Sequence, residues 1–323
     1  MKKVFIYMIA LISLFVLFGF SNVAEGKGNS YTIREVEDIL FDYLIENQID
    51  IKPGTEEYVE YLLLQLLEDK DKKLSEHIEY SNILFYASEY LYQLELHQSG
   101  ENFTEEFNLE HIYDRTIKEI EVEIEIEEKA QDSFIQFNKK SSTEFTAMSS
   151  SYNPTAAVNY AKEYYNKRNP NYKSHSKNCT NFVSQAIHAG GKSEKKPSPV
   201  PDGINSTTTH WYNDSYWGCT VNNNCTMRSK ESSSWINVVD FYSYWRNNQG
   251  HSTVSSGSKT TIINNSRVGD VIQLKNSSGR WFHSVIVTGK RNGTIYISSN
   301  TSDYFDKDFK TLSESSYRVI KFS

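Results

Sequence analysis

The chain is poor in the residues that interrupt or cross-link a polypeptide. Six prolines and 15 glycines among 323 residues exclude a collagen-like or proline-rich low-complexity protein. Three cysteines are too few for a disulfide-built scaffold, and their odd number leaves one thiol over in an oxidising compartment. No internal repeat is present. The first half of the chain also lacks a His-Glu-x-x-His, a paired Cys-x-x-Cys, a calcium loop and a phosphate loop. Neither a metal nor a cofactor is expected, nor is a nucleic-acid partner. What is abundant is apolar and aromatic side chain: 38% hydrophobic and 14% aromatic residues, with 22 tyrosines, which excludes disorder along the whole chain.

The N-terminus reads Met1-Lys2-Lys3, then an apolar run from Val4 to Phe20, then Ser21-Asn22-Val23-Ala24-Glu25-Gly26. That order is expected of a secretory signal peptide over residues 1–26, with an uncleaved membrane anchor as the alternative. In both cases the remainder lies outside the cytoplasm. A length of 323 residues suits two domains, and charge separates them. Residues 27–150 hold 11 Lys and Arg against 29 Asp and Glu; residues 151–323 hold 21 against 11. An acidic half is therefore followed by a basic one. The acidic half motivates the expectation that it docks on the basic half, beside the simpler reading of a solvated helical domain.

In the acidic half, Val36, Ile39, Leu40, Tyr43 and Leu44 fall at helical spacing, as do Tyr58, Tyr61, Leu62 and Leu66, and Ile83, Tyr86, Tyr90 and Leu94. Pro53-Gly54 separates the first two helices, and Thr55 suits the start of the second. Ile120, Val122, Ile124 and Ile126 alternate with glutamates, a period of two that predicts a strand. The helical acidic domain spans 27–138, and a polar, serine-rich linker 139–151. The basic domain, 152–323, opens with a helix begun by Asn153-Pro154. Short strands follow at 271–274, 283–287, 294–297 and 318–320, with turns at Ser278-Gly279 and Asn292-Gly293. Helices followed by an antiparallel sheet make an α+β fold.

The stretch Asn178-Cys179-Thr180-Asn181-Phe182-Val183-Ser184-Gln185-Ala186-Ile187-His188-Ala189-Gly190-Gly191 predicts one short helix with Cys179 at its N-terminus. Free backbone N–H groups and the helix dipole there favour a thiolate and can help bind an oxyanion. Asn178 and Thr180 are weaker candidates for substrate or oxyanion contacts, and Asn181 reads as a helix-start residue. His283 begins a strand, and a hairpin to the next strand brings Asn300 beside it as a candidate to orient the imidazole. His175, His188, His210 and His251 read as solvated or core histidines. Cys219 and Cys225, six apart around Asn222-Asn223-Asn224, can close a short loop as a disulfide; three unpaired thiols are the alternative. Trp211, Trp217, Trp235 and Trp245 are candidates for a substrate groove or for core.

The segments Tyr152 to Ala161, Asn169-Pro170-Asn171-Tyr172, Asn178 to Gln185, Gly190-Gly191, Val268-Gly269-Asp270-Val271-Ile272 and His283 to Gly289 resemble the amidase domain family found in secreted proteins of Gram-positive bacteria. That family is itself similar to NlpC-type and CHAP peptidases. The resemblance covers 152–323 and implies a papain-like fold with Cys179 as nucleophile and His283 as base. It departs at two positions: Asn178 stands where the family usually has Asp, and Asn300 where it often has His. The implied function is cysteine-dependent hydrolysis of an amide bond in peptidoglycan, with the basic domain suited to an anionic wall polymer as partner. The alternatives are a non-catalytic wall-binding module and a cysteine peptidase acting on a protein or peptide.

Overall fold

The computed structural model describes residues 30–99, 107–141, 152–220, 222–277, 279–313 and 316–323. The expected signal peptide, Ser278 of the expected turn and residues 142–151 of the expected linker lie outside the described residues. Among the described residues, no helix is long and apolar enough to cross a membrane.

The acidic half is helical: α1 (Ile33–Glu46), α2 (Glu56–Glu68), α3 (Lys72–Ser75), α4 (Tyr80–Ser99) and α5 (Ile117–Ser141). Local chemistry starts each of the first two. Thr32 and Glu35 exchange side-chain-to-backbone hydrogen bonds in a capping box at α1, and the Thr55 hydroxyl accepts from the Tyr58 N–H at α2. The strand expected at Ile120–Ile126 is instead part of α5, and residues 139–141 of the expected linker are its last turn. Two physical reasons decide this. Thr116 and Glu119 form a second capping box, and the buried residues are Ile117, Ile120 and Ile124, a spacing of three and four. Val122 and Ile126 of the alternating set are exposed at 49% and 62%. The alternation was the coincidence of a helical stripe with two solvent-facing apolar residues.

The basic half begins with α6 (Pro154–Tyr164) and α7 (Cys179–Ala189), the first capped by Asn153, which accepts from the Ala156 N–H, with Pro154 at the first helical position. Then come β1 (Gly203–Asn205), β2 (Tyr216–Cys219), β3 (Cys225–Arg228), β4 (Lys230–Ser232), α8 (Ser233–Ile236), α9 (Val238–Ser243), β5 (Thr253–Ser256), α10 (Lys259–Asn265), β6 (Val271–Lys275), β7 (Trp281–Arg291), β8 (Thr294–Ser299), β9 (Tyr304–Asp308) and β10 (Ser316–Ile320). A six-stranded antiparallel sheet runs in the order β5-β10-β6-β7-β8-β9. All four expected strands lie in it. The two edges, β5 and β9, were not expected, because a half-buried edge strand such as Tyr-Phe-Asp-Lys-Asp carries no hydrophobic alternation. Asn292 and Gly293, both at positive φ, make the β7–β8 turn. Cys219 and Cys225 lie opposite one another in the β2–β3 hairpin and are disulfide-bonded.

The sheet is covered on both faces. Ile272, Leu274, Phe282, Val285 and Val287 join a buried cluster with Leu62, Leu91 and Ile120 of the acidic half. Val271, Ile286 and Ile320 join a second cluster with Ala157, Phe182, Trp211 and Trp235. The alternation of strand side chains sends each residue to one layer or the other.

Candidate active site

Cys179 opens α7, whose apolar stripe Phe182, Val183, Ala186 and Ile187 is buried as its spacing required. The helix ends at Gly190, where a Cβ would meet the Tyr152 ring at 2.5 Å, so only glycine lets α6 approach the end of α7. Asn178 precedes the helix without capping it through its side chain. That amide has other partners: its oxygen accepts from the His175 N–H and from Asn181 Nδ2, and its Nδ2 donates to Asn300 Oδ1. The Asn178 N–H donates to Thr301 Oγ1 at 2.8 Å.

Asn300 does not take the place expected of it. Its Nδ2 donates to the carbonyls of Tyr164, Tyr165 and Lys167, and its oxygen is taken by Asn178. None of its hydrogen bonds among the described residues goes to His283. It holds the end of α6, the start of α7 and the turn after β8 together, because one amide can serve several main-chain and side-chain partners at once. The two positions at which the chain departs from the family's usual residues are thus in contact with each other. Asn178 and Thr180 are likewise committed to structure: the Thr180 hydroxyl lies 3.0 Å from Ser284 Oγ on β7 and 3.9 Å from the Cys179 sulfur.

That Thr180–Ser284 contact ties the start of α7 to β7 beside His283. The Ser284 backbone N–H helps to hold the Cys179 pKa down against burial, a role that the sequence did not reveal. The His283 Nε2 lies 3.5 Å from the Tyr304 hydroxyl on β9, while its Nδ1 is buried without a hydrogen-bond partner. A buried ring nitrogen left open in this way is costly in a purely structural histidine. Both Cys179 and His283 have 0% exposure. Burial pushes the Cys179 thiol pKa up, partly opposed by the positive charge of Lys177. Burial and the charges of Lys177 and Lys307 bring the His283 pKa down to about 3. At neutral pH the thiol and the imidazole are therefore both uncharged, and no hydrogen bond joins them among the described residues.

Lys177 and Lys307 are further residues that sequence reading missed. Lys177 is 1% exposed and pairs at 3.0 Å with Glu95 of α4, itself buried. Lys307 on β9 pairs with Glu68 at the end of α2. A lysine two residues before the cysteine carries no motif, and its partner lies 82 residues earlier; only the fold joins them.

The other candidates are distributed as follows. Trp211, Trp235 and Trp245 are core residues, while Trp217 on the disulfide hairpin is exposed, so three of the four are excluded from a groove. His175 is buried against Glu231 at 3.0 Å, His188 bonds the Lys192 carbonyl, and His251 bonds the Lys321 carbonyl. His210 is exposed. No cluster of His, Cys, Asp or Glu among the described residues has the form of a metal site.

Cys179 at the start of α7 and His283 on β7 thus lie on neighbouring elements, joined through the Thr180–Ser284 contact. Residues 151–322 match the family described as "Putative amidase domain", and since this is more than half of the chain, the protein belongs to that family. It is 33% identical over 146 residues to the uncharacterized protein YhbB of Bacillus subtilis (strain 168), covering 45% of this chain and 39% of that protein. It is 25% identical over 243 residues to the uncharacterized protein YjcM of the same organism, covering 69% of this chain and 51% of that protein. The chain thus spans 39% and 51% of the lengths of these two curated relatives. No solved structure matches it.

Proposed function

We propose that the protein is a secreted cysteine amidase, papain-like in its pairing of a helix-borne thiol with a strand-borne imidazole, that cleaves an amide bond in peptidoglycan. The observation that carries this reading is Cys179 at the start of α7, tied to β7 by the Thr180–Ser284 contact, with His283 one residue from Ser284 and its Nδ1 buried without a hydrogen-bond partner among the described residues. His283 takes the thiol proton, and the thiolate attacks the amide carbon. The α7 N–H groups and the Ser284 N–H are donors for the developing oxyanion. As the tetrahedral species collapses, the C–N bond breaks and the imidazolium gives its proton to the leaving amine. His283 then removes a proton from water, which attacks the thioester, and the thiol is restored with release of the carboxylate. Tyr304 orients the imidazole. Asn300 is a positioning residue, acting through Asn178 on the start of α7.

The bond lies between muramic acid and the stem peptide or within the stem peptide. The basic charge of residues 151–323 supports an anionic wall as the setting. Mass spectrometry of fragments released from purified peptidoglycan tests the reading. The Cys179→Ala variant of the full chain is expected to lose release by about 10³-fold or more, and unchanged release rejects the mechanism. A second reading, a non-catalytic wall-binding module, is favoured by one observation, the complete burial of Cys179. It predicts that Cys179→Ala behaves as wild type and that wall binding survives.

A further inference from the structure

The proposed site is closed. A substrate amide has to touch the Cys179 sulfur, yet neither Cys179 nor His283 is exposed. The closure comes from the acidic half. Leu274, opposite His283 in the sheet register, belongs to the cluster shared with the N-terminal helices, so His283 projects from the face that those helices cover. Helix α4 packs directly on β7. Around this contact the acids come from one half and the bases from the other: Glu89 and Glu127 on Arg280 at 2.8 Å each, Glu128 on Lys275, Glu95 on Lys177 and Glu68 on Lys307.

The last two pairs differ from the rest: Lys177 lies two residues before Cys179, Lys307 lies over the Tyr304 ring whose hydroxyl meets His283, and both charges act on the imidazole. Burying the Lys177–Glu95 pair is no better for stability than an apolar pair of the same size, and the partly exposed Lys307–Glu68 pair adds little. Two lysines kept beside a nucleophile therefore point to a second anionic partner, one that binds when the glutamates are gone.

We propose that the acidic half is an intramolecular inhibitor of the Cys179–His283 site, and that Glu95 and Glu68 occupy positions taken by carboxylates of an acidic amide substrate once the half is displaced. The inference rests on the reading of Cys179 as nucleophile. It adds both a covered resting state and a substrate class, an amide flanked by carboxylates.

Alkylation of the full chain separates the possibilities, because Cys219 and Cys225 are disulfide-bonded and Cys179 is the free thiol. The rate of modification by iodoacetamide is followed at low salt through sub-denaturing urea, with circular dichroism for global unfolding. Labelling is expected to be slow in the native chain and to proceed through a partial opening whose urea dependence is clearly shallower than that of global unfolding. Glu68→Gln, at a partly exposed pair, is expected to accelerate it about 10-fold while the global midpoint moves little. Glu95→Gln is expected to accelerate it more. Native wild type labelling as fast as a small free thiol overturns the proposal, and so does labelling that tracks only global unfolding in wild type and Glu68→Gln alike.

Iodoacetate, an anionic alkylator, reads the carboxylate positions. Its rate relative to iodoacetamide in the opened protein is expected to exceed the ratio for a small thiol and to fall in Lys307→Gln; an unchanged ratio overturns the carboxylate assignment. Alkylation needs no amide turnover. Failure to cleave peptidoglycan would thus reject the proposed function and leave these results standing, whereas the converse result would reject the cover alone.

Discussion

The two faces of the central sheet are held by different chemistry. Toward α6 and α7 a network of neutral amides and hydroxyls runs beside the buried His175–Glu231 pair: Asn181 Oδ1 accepts from Gln185 Nε2 and from Trp235 Nε1, Ser184 donates to the Trp235 carbonyl, and Asn178 meets Asn300. Toward the N-terminal helices they are charged, with glutamates of one half on lysines and arginines of the other. A satisfied amide network locks geometry and has little dependence on salt or pH. Ion pairs between two layers respond to both. The difference teaches that the start of α7 is built as a permanent arrangement, whereas the layer above His283 is attached by contacts that can be loosened.

The largest effect expected to break this comparison is at the buried pair. Glu95→Ala leaves Lys177 uncompensated among buried groups and is expected to cost about 3–5 kcal/mol in urea unfolding. Replacing both partners, Glu95→Leu with Lys177→Met, is expected to restore most of it. A loss under about 1 kcal/mol in the single variant would mean that the pair is hydrated, as surface pairs are.

On the amide face, Asn300→Ala strands the carbonyls of Tyr164, Tyr165 and Lys167 and is expected to cost about 2–3 kcal/mol with no added dependence on salt. Asn178→Asp places a carboxylate oxygen against Asn300 Oδ1. The double variant Asn178→Asp with Asn300→His is expected to recover about 1–2 kcal/mol of that loss, and strict additivity would show that the two positions do not act as a pair.

Acid supplies the next effect. Burial together with the charges of Lys177 and Lys307 lowers the His283 pKa to about 3; burial, partly opposed by the Lys321 carbonyl, lowers that of His251 to about 4. A depressed imidazole pKa means that the unfolded chain binds protons the folded chain refuses. The stability this confers is present above the unfolded value near 6.5 and is lost as pH falls from there toward 4 and 3. Each group is expected to contribute a slope of up to about 1.4 kcal/mol per pH unit. His283→Gln should flatten the curve over that window, and an unchanged slope would show that His283 protonates in the folded state. The smallest effect is expected at the solvent-facing Lys129–Glu125 pair, where Glu125→Gln should leave the urea midpoint unchanged within error.

Much of the basic half was legible because its signals are local. Asn153-Pro154 starts α6, Asn292-Gly293 turns β7 into β8, and the Cys179 helix announces itself by its apolar stripe and terminal glycine. The α5 segment misled because alternation at Ile120–Ile126 was weighed without the Thr116–Glu119 capping box immediately before it. Asn300 was placed near His283 by hairpin reasoning, which fixes the neighbourhood of a side chain but not the partner of its amide. Tyr304, Lys177 and Ser284 were invisible, since nothing in their local sequence sets them apart from other surface or strand residues.

By itself the sequence determined the nucleophile and base candidates, the helices α6 and α7, the strands β6, β7, β8 and β10 and the opposite charge of the two halves, because these follow from spacing, capping and composition along the chain. The tertiary structure alone decided that Asn300 clamps Asn178, that Cys219 pairs with Cys225, and that Glu95 and Glu68 reach Lys177 and Lys307. These are contacts between residues remote in sequence or open to more than one partner, and only packing of the two layers on one sheet selects among the partners.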